Sequence, residues 1–364
     1  MWHKDLNTKT QDAITFLQLL TQKYDVAVAN PPYTDSADFG PELKKFIDAN
    51  YKQPHKFNSN LYATFIKRCY ELIDEHGKMA LIHPLTFMYI KTFEDVRKFI
   101  IEKLHINVFV DYGLSNLFGA VMVDPAFYVL EKENKSVSSL FISLDQYTRT
   151  PNEKFKKDFC LEALHDYLAN RPNKHNVSLP QEKLKIIEGW PFIYWISDGF
   201  REKFQSDKLG DFLKLCSGLG TGDNDRFMRF WWEIESSKIK SDKNDHKKWA
   251  FIAKGGPYNK WYGNLWLVIN WDRNGFEIKN FTDNNGVQRS TIRNEGYYFK
   301  QGMSFAKAGA KTATFRFIPS NSIFDSSSPA AFTDNYKNFN YSIAFLNSTF
   351  TSYLLDCLNP TSGT

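Results

Sequence analysis

The chain has 364 residues, too many for one small domain and enough for two of ordinary size, each with its own core. Its 46 basic and 41 acidic residues leave a net charge of +5, which permits nucleic-acid binding through a local basic face without arguing for it. The cysteines, Cys69, Cys160, Cys216 and Cys357, are scattered, with no Cys-x-x-Cys pair or clustered His to suggest a metal site. No basic, apolar and small-residue leader opens the chain, and no apolar run reaches the roughly 18 residues of a membrane span, so a cytoplasmic protein is expected. Aromatic residues make up 16% of the chain, nine of them Trp, and such rings supply both cores and surfaces on which bases stack.

In chain order, Ala13, Ile14, Leu17, Leu19 and Leu20 recur at helical spacing over 11–22, and Tyr24 to Ala29 reads as a short buried strand. That strand runs into Asn30-Pro31-Pro32-Tyr33. After a polar loop come a helix over 61–75, a buried strand over 78–82, a helix near 93–102 and a strand over 106–111. Alternation of this kind predicts a parallel, doubly wound sheet. Residues 121–131 read as a closing hairpin strand. Between Glu131 and Pro191 the pattern gives way to charged, Asn-rich sequence with one helix near 159–169, and a linker is placed at 147–190. Beyond it, Trp, Tyr, Gly and Asn punctuate short runs such as Leu265 to Ile269, predicting a mixed, β-rich second domain over 191–364 after a first domain over 1–146.

The tetrapeptide is the expected seat of chemistry. The end of a strand is where an open α/β sheet places its ligands. Adenine's exocyclic amine is a poor nucleophile because its lone pair is delocalised into the ring. A pair of acceptors can fix the amine and favour a pyramidal geometry: the side-chain carbonyl of Asn30 and the backbone carbonyl of Pro31, presented by a loop that Pro31 and Pro32 stiffen. Tyr33 would stack on a base flipped out of the duplex. Catalysis of this sort is orientation and electrostatics, without a covalent intermediate. Taken alone, the four residues read equally well as an ordinary turn; the preceding strand and the alternation after it favour chemistry.

The run Lys23 to Tyr33 resembles the catalytic motif of adenine-specific DNA methyltransferases whose target-recognition domain follows the catalytic one. Leu61 to Ile66, Gly77 to Pro84 and Val110 to Gly113 resemble that family's later motifs, in order. Leu117-Phe118-Gly119 followed by Val121 to Leu130 is similar to the segment in which an aromatic residue helps hold the flipped base, which makes Phe118 a candidate beside Tyr33. In the second half, Gly218 to Phe227 and Lys254 to Asn264 resemble the recognition half of the PglX methyltransferases of BREX phage-defence systems. The resemblance implies a partial Rossmann-like methyltransferase sheet followed by a target-recognition domain, with S-adenosylmethionine as methyl donor and double-stranded DNA as substrate. It also implies other BREX-type proteins as partners.

In that family the donor-binding Gly-rich loop and the acid that holds the donor's ribose lie upstream of the tetrapeptide. Only 29 residues precede Asn30, room for one helix and one strand. The donor site is therefore expected to be missing from this chain and to come from elsewhere, such as a chain supplying the other half, and the recognition domain is expected to stop short as well. A permuted arrangement would place the donor loop at Gly218-Leu219-Gly220-Thr221-Gly222-Asp223, but no strand–helix–strand unit follows, and a flexible polar loop near DNA is the better reading.

Arg226, Arg229, Lys254 and Lys260 lie among Gly, Asn and aromatic residues, a mixture suited to phosphate contacts and base-edge hydrogen bonds, although a single cation is more often a solvated charge. Gly255 and Gly256 would let the backbone approach a phosphate closely. Trp261 and Tyr262 are expected in the core. The competing readings are a non-catalytic DNA-binding specificity module and an RNA or protein methyltransferase. No nuclease constellation stands out.

Overall fold

The computed structural model describes residues 2–115, 123–133, 135, 137–144, 153–306, 314–333, 335 and 339–358, with side chains from residue 9 in the first helix and from residue 155 in the fifth. It is a mixed α/β structure with three sheets, and it divides into two units, 1–206 and 207–364. Among the described residues no helix is long and apolar enough to cross a membrane.

The first unit opens with α1 (Trp2–Thr21) and β1 (Tyr24–Ala29), followed by α2 (Pro41–Tyr51), α3 (Leu61–Leu72) and β2 (Ile73–Pro84). Next come α4 (Glu94–Lys103), β3 (His105–Asp111), β4 (Pro125–Glu131), β5 (Ser138–Ser143), α5 (Glu153–Leu168) and β6 (Asn176–Pro180). The six strands form one sheet in the order β1-β2-β4-β3-β5-β6. The expected parallel sheet closed by a hairpin strand forms only in part. β1 runs parallel to β2 and β3 parallel to β5, but β4 lies between β2 and β3 and is antiparallel to both. The strand expected merely to close a hairpin is thus an interior strand. Its alternating Ala126, Tyr128 and Leu130 are buried, which rewards insertion between two neighbours rather than at an edge.

α3 starts where the Asn60 side chain accepts from the Tyr62 amide, a standard N-cap. It ends three residues earlier than the sequence suggests, because Ile73 turns extended and begins β2. Segment 147–190, expected as a linker, holds β6, which pairs antiparallel with β5. Two buried side chains tie the following residues to the same sheet layer. Gln181 accepts from the Ile106 amide and donates to the carbonyls of Ile101 and Leu104. The Arg97 guanidinium donates to the carbonyls of Phe87, Ile90 and Gly189. Phe192 and Tyr194 then pack on Phe109 and Phe141. These long-range contacts place the division between the units at residue 206 rather than near 190.

β1 is the exception to burial. Among the described residues it pairs on one side only, and its Val26 and Val28 are 57% and 76% exposed where a buried strand was expected. On α1, Ile14, Phe16, Leu17, Leu19 and Leu20 are also exposed. Parallel strands are normally covered on both faces and paired on both edges, so this corner of the unit presents an apolar, unpaired parallel edge.

The second unit is woven from short strands: β7 (Lys214–Cys216), β8 (Met228–Phe230), β9 (Trp249–Ala253), β10 (Leu267–Asn270), β11 (Gly302–Ser304), β12 (Arg316–Ile318), β13 (Ser322–Phe324) and β14 (Ala330–Phe332). They form two sheets ordered β13-β9-β10-β8 and β12-β11-β14-β7. Phe227, Ile252, Ile269, Ile323 and Phe324 centre one core, and Met303, Ala331 and Leu346 another. Helices Phe339–Leu346 and Thr349–Leu358 close the unit.

Candidate functional site

The parallel strands β1, β2 and β3 end on the same edge of the first sheet, and antiparallel β4 begins there: Ala29 lies beside Leu81, Pro84 beside Pro125, and Asp111 beside Ala126. Asn30 is the first residue past β1 on that edge, as the sequence predicts for a ligand-bearing loop. Pro31 is buried, Asn30 and Pro32 are exposed, and Tyr33 is half-buried. The Tyr33 hydroxyl donates to the Asn30 side-chain oxygen at 3.1 Å. A carbonyl oxygen has two lone pairs, so this bond orients the amide and leaves it able to accept from a second donor. Burial raises the Tyr33 pKa, which keeps the hydroxyl a donor.

The loop is pinned from the far side. Leu61 donates its amide to the Thr34 carbonyl at 3.0 Å, and Asp35 and Asn60 form an isolated bridge. The same Asn60 that caps α3 therefore anchors the loop after Tyr33. Behind it, His83 is fully buried and stacked on Tyr62, with ring centroids 4.4 Å apart. Its Nδ1 faces the Pro84 carbonyl at 3.0 Å and so carries the proton, and its Nε2 accepts from the Tyr128 hydroxyl at 2.7 Å. Burial lowers its pKa to about 4. His83 is thus a neutral, satisfied core residue that supports the edge, and nothing in the sequence motif around it announced that pairing with Tyr128.

Past β3, the Asp111 carboxylate accepts from the Gly113 amide at 3.2 Å and from the Tyr194 hydroxyl at 3.3 Å. Gly113 has φ of 68°, a left-handed turn that glycine adopts without strain. Ser115 and Val123 then exchange both backbone hydrogen bonds, at 2.7 and 2.9 Å. Residues 116–122 lie between them in the sequence. Phe118 falls in that stretch and lies outside the described residues.

In the second unit, Arg226, Arg229, Lys254 and Lys260 are all engaged by the unit itself. Arg226 pairs with Glu277 at 2.9 Å and its guanidinium lies over the Phe281 ring. Arg229 donates to the carbonyls of Asp225 and Met228. Lys254 reaches the buried Asp325 at 3.4 Å and Asn224 at 3.2 Å, and Lys260 donates to the Asn347 carbonyl at 3.0 Å. A Cβ at Gly255 would sit 2.9 Å from the Ser327 carbonyl, and one at Gly256 would sit 3.0 Å from the Trp266 ring. The close approach these glycines permit here is to the protein's own chain. The arrangement does join two motifs distant in sequence, since Asn224 accepts from both Thr221 and Lys254.

The glycine run 218–222 is not a loose loop. A Cβ on Gly218 would overlap the Phe324 carbonyl at 2.0 Å, and Gly222, with φ of 76°, abuts Arg289. Leu219 and Gly220 bridge to Asp325 and Thr291. The helix that follows is a single turn, Asn224–Phe227, leading into β8. A phosphate- or donor-cradling loop opens a longer helix and keeps its amides free, so these residues do not fit a methyl-donor site. Trp261 and Tyr262, expected in the core, are exposed. A hollow of about 530 Å³ lined by Tyr167, Asn170, Arg171 and Asn173 lies by β6, at the opposite end of the sheet from β1.

Residues 2–118 match the family model described as the Eco57I restriction-modification methylase. The chain is 29% identical over 356 residues to adenine-specific methyltransferase PglX of Lacticaseibacillus casei (strain Zhang), covering 94% of this chain and 28% of that protein. It is 27% identical over 350 residues to adenine-specific methyltransferase BrxX of Escherichia coli O9:H4 (strain HS), covering 94% and 27%. The chain therefore spans less than a third of the length of these relatives. Among solved structures, the type IIL restriction-modification enzyme MmeI in complex with DNA aligns at a TM-score of 0.54 and 8% identity over 90% of this chain and 43% of that one. A nuclease-deletion mutant of the type ISP enzyme LlaGI aligns at 0.52 and 12% over 91% and 32%. These two are similarities of fold. Over nearly its whole length this chain resembles one stretch of the adenine-specific methyltransferases PglX and BrxX.

Proposed function

We propose that this chain is the amine-gripping and DNA-reading part of an S-adenosylmethionine-dependent, adenine-specific DNA methyltransferase of the PglX and BrxX kind. The observation that carries the reading is the Asn30–Tyr33 loop, set at the ligand-bearing edge of the sheet with Asn30 oriented by the Tyr33 hydroxyl. The Asn30 side-chain oxygen and the Pro31 carbonyl accept the two hydrogens of adenine's amine and hold its lone pair toward the incoming methyl group. The Tyr33 ring, with Phe118 as a second candidate, stacks on the flipped base. The buried Pro31 keeps the loop from relaxing when the base leaves.

The donor supplies the methyl group when bound, and a strand-and-helix unit packed beside β1 would hold it. The bare parallel edge with Val26 and Val28, and the exposed apolar residues of α1, are the surface such a strand-and-helix unit would cover. The second unit is the target-recognition domain in this reading, with double-stranded DNA as its ligand.

The test is transfer of a labelled methyl group from S-adenosylmethionine to unmethylated duplex DNA, by this chain alone and with a donor-binding polypeptide supplied in trans. Transfer is expected only with both. Asn30→Ala should then lower it at least about a hundredfold, the scale on which a single positioned polar group acts in a transition state, with DNA affinity unchanged. Saturable donor binding by the chain alone would overturn the split-site part. Full transfer by Asn30→Ala would overturn the catalytic part and leave a DNA-binding specificity module.

A further inference from the structure

The connection from β9 to β10 runs from Lys254 to Trp266 and is held as a rigid body. Asn264, almost fully buried, accepts from the Asn259 side chain at 2.7 Å and donates to the Pro257 carbonyl at 3.3 Å. Its backbone carbonyl accepts from the Lys254 amide. Trp261 donates its amide to the Phe315 carbonyl and accepts from the Phe317 amide, at 3.0 and 2.9 Å, which fastens the loop to the strand that carries Arg316.

Within this frame three rings point away from the protein: Tyr258, Trp261 and Tyr262 are 61%, 51% and 66% exposed. Trp261 has φ of 73°, a left-handed conformation that a bulky residue adopts only under strain. Neither burial nor backbone preference accounts for a tryptophan here. A strained residue locked by its surroundings, with its side chain outward, is the arrangement found where a ligand is contacted.

The charge around the rings indicates which ligand. Residues 254–266 contain two lysines and no acid, and of the two Lys254 is paired with Asp325 while Lys260 meets only a backbone carbonyl among the described residues. Bridged to Trp261 is Arg316, fully buried, whose Nη2 donates to Ser328 at 3.3 Å while its Nε and Nη1 have no hydrogen-bond partner among the described residues. A cation without a carboxylate partner among the described residues, behind an exposed aromatic loop, suits a planar group attached to an anion. A nucleotide has both. An apolar protein partner would use the rings but gain nothing from the positive charge of Lys260 and Arg316.

We infer that the Tyr258–Tyr262 loop, through Trp261 and Tyr262, is a stacking platform for an unstacked base of bound DNA. This rests on the DNA-reading role proposed above and assigns the contact to residues outside the set of Arg226, Arg229, Lys254 and Lys260. Stacking is tolerant of base identity, so the loop grips opened DNA and contributes little to sequence choice.

The experiment is a titration of the full chain with duplexes carrying 2-aminopurine at successive positions, read by affinity and by quenching of the analogue's fluorescence. Trp261→Gly removes the ring and also relieves the left-handed strain, so loss of folding does not confound it. That variant and Tyr262→Ala should each weaken binding roughly tenfold and abolish quenching at one position, with the salt dependence unchanged because no phosphate contact is lost. Trp261→Phe should restore most of both. Wild-type binding with unaltered affinity and quenching in Trp261→Gly and Tyr262→Ala overturns the inference alone. Failure of the wild-type chain to bind DNA at low salt overturns the DNA-reading role and this inference together.

Discussion

β1 and β2 are neighbours in one sheet, paired from Val26 beside Lys78 to Ala29 beside Leu81, yet their surroundings differ. On β2, Met79 and Leu81 are buried and lead to a buried His83. On β1 the valines face outward and the far edge has no partner among the described residues. The apolar residues of β2 hold this unit together, and those of β1 contribute little to it. Apolar character in a strand therefore records what the strand is built to be covered by, which for β1 lies outside the described contacts.

The sheet interior should show the largest effect. Phe109 on β3 is fully buried against Phe87, Tyr128, Phe141 and Phe192. Phe109→Ala is expected to cost about 3–5 kcal/mol in the unfolding of the first unit, measured by denaturant titration; a loss under about 1 kcal/mol would show that the contact network does not carry the unit's stability.

Next comes acid. His83 binds no proton in the folded unit until about pH 4, whereas the unfolded chain protonates it near its ordinary 6.5. The unfolded state then holds the extra proton between those values, so stability is full above about pH 6.5 and declines as pH falls toward 4, by about 3 kcal/mol. His83→Gln should flatten that slope, and an equal slope in both proteins would locate the titrating group elsewhere.

The second unit supplies a contrast in kind. Lys254 sits on the buried Asp325, so Lys254→Ala should destabilise that unit by about 1–2 kcal/mol through a carboxylate left short of a partner. Unchanged thermal stability with weakened DNA binding would instead make Lys254 a ligand contact first. Smallest is the bare edge. Val28→Thr is expected to change stability by less than about 0.5 kcal/mol, and a loss comparable to that of Phe109→Ala would mean that β1 is covered in solution by something that comes with the purified chain.

The sequence made one candidate loop and one half of the fold readable. Tyr24 to Ala29, the core of β2 and β3 are local apolar runs, and the Asn30-Pro31-Pro32-Tyr33 loop is contiguous, so its position at a strand end follows from its neighbours alone. The Tyr33 bond to Asn30 spans three residues and still depends on how the loop turns. The placement of β4 between β2 and β3, the return of β6 to the first sheet, and the anchoring of 181–194 by Gln181 and Arg97 are pairings between residues far apart in the chain. No window of sequence contains both partners.

The same limit explains the second unit. Its short strands supply little periodicity, and a basic residue such as Arg226 reads alike whether it meets Glu277 or a phosphate. The sequence by itself determined the local order of strand, loop and residue types in consecutive positions, because these depend on backbone preference and residue type. Only the tertiary structure decided strand order, which valines are bare, which lysines are already paired, and that Trp261 stands outward under strain, because each depends on long-range packing that brings distant residues together.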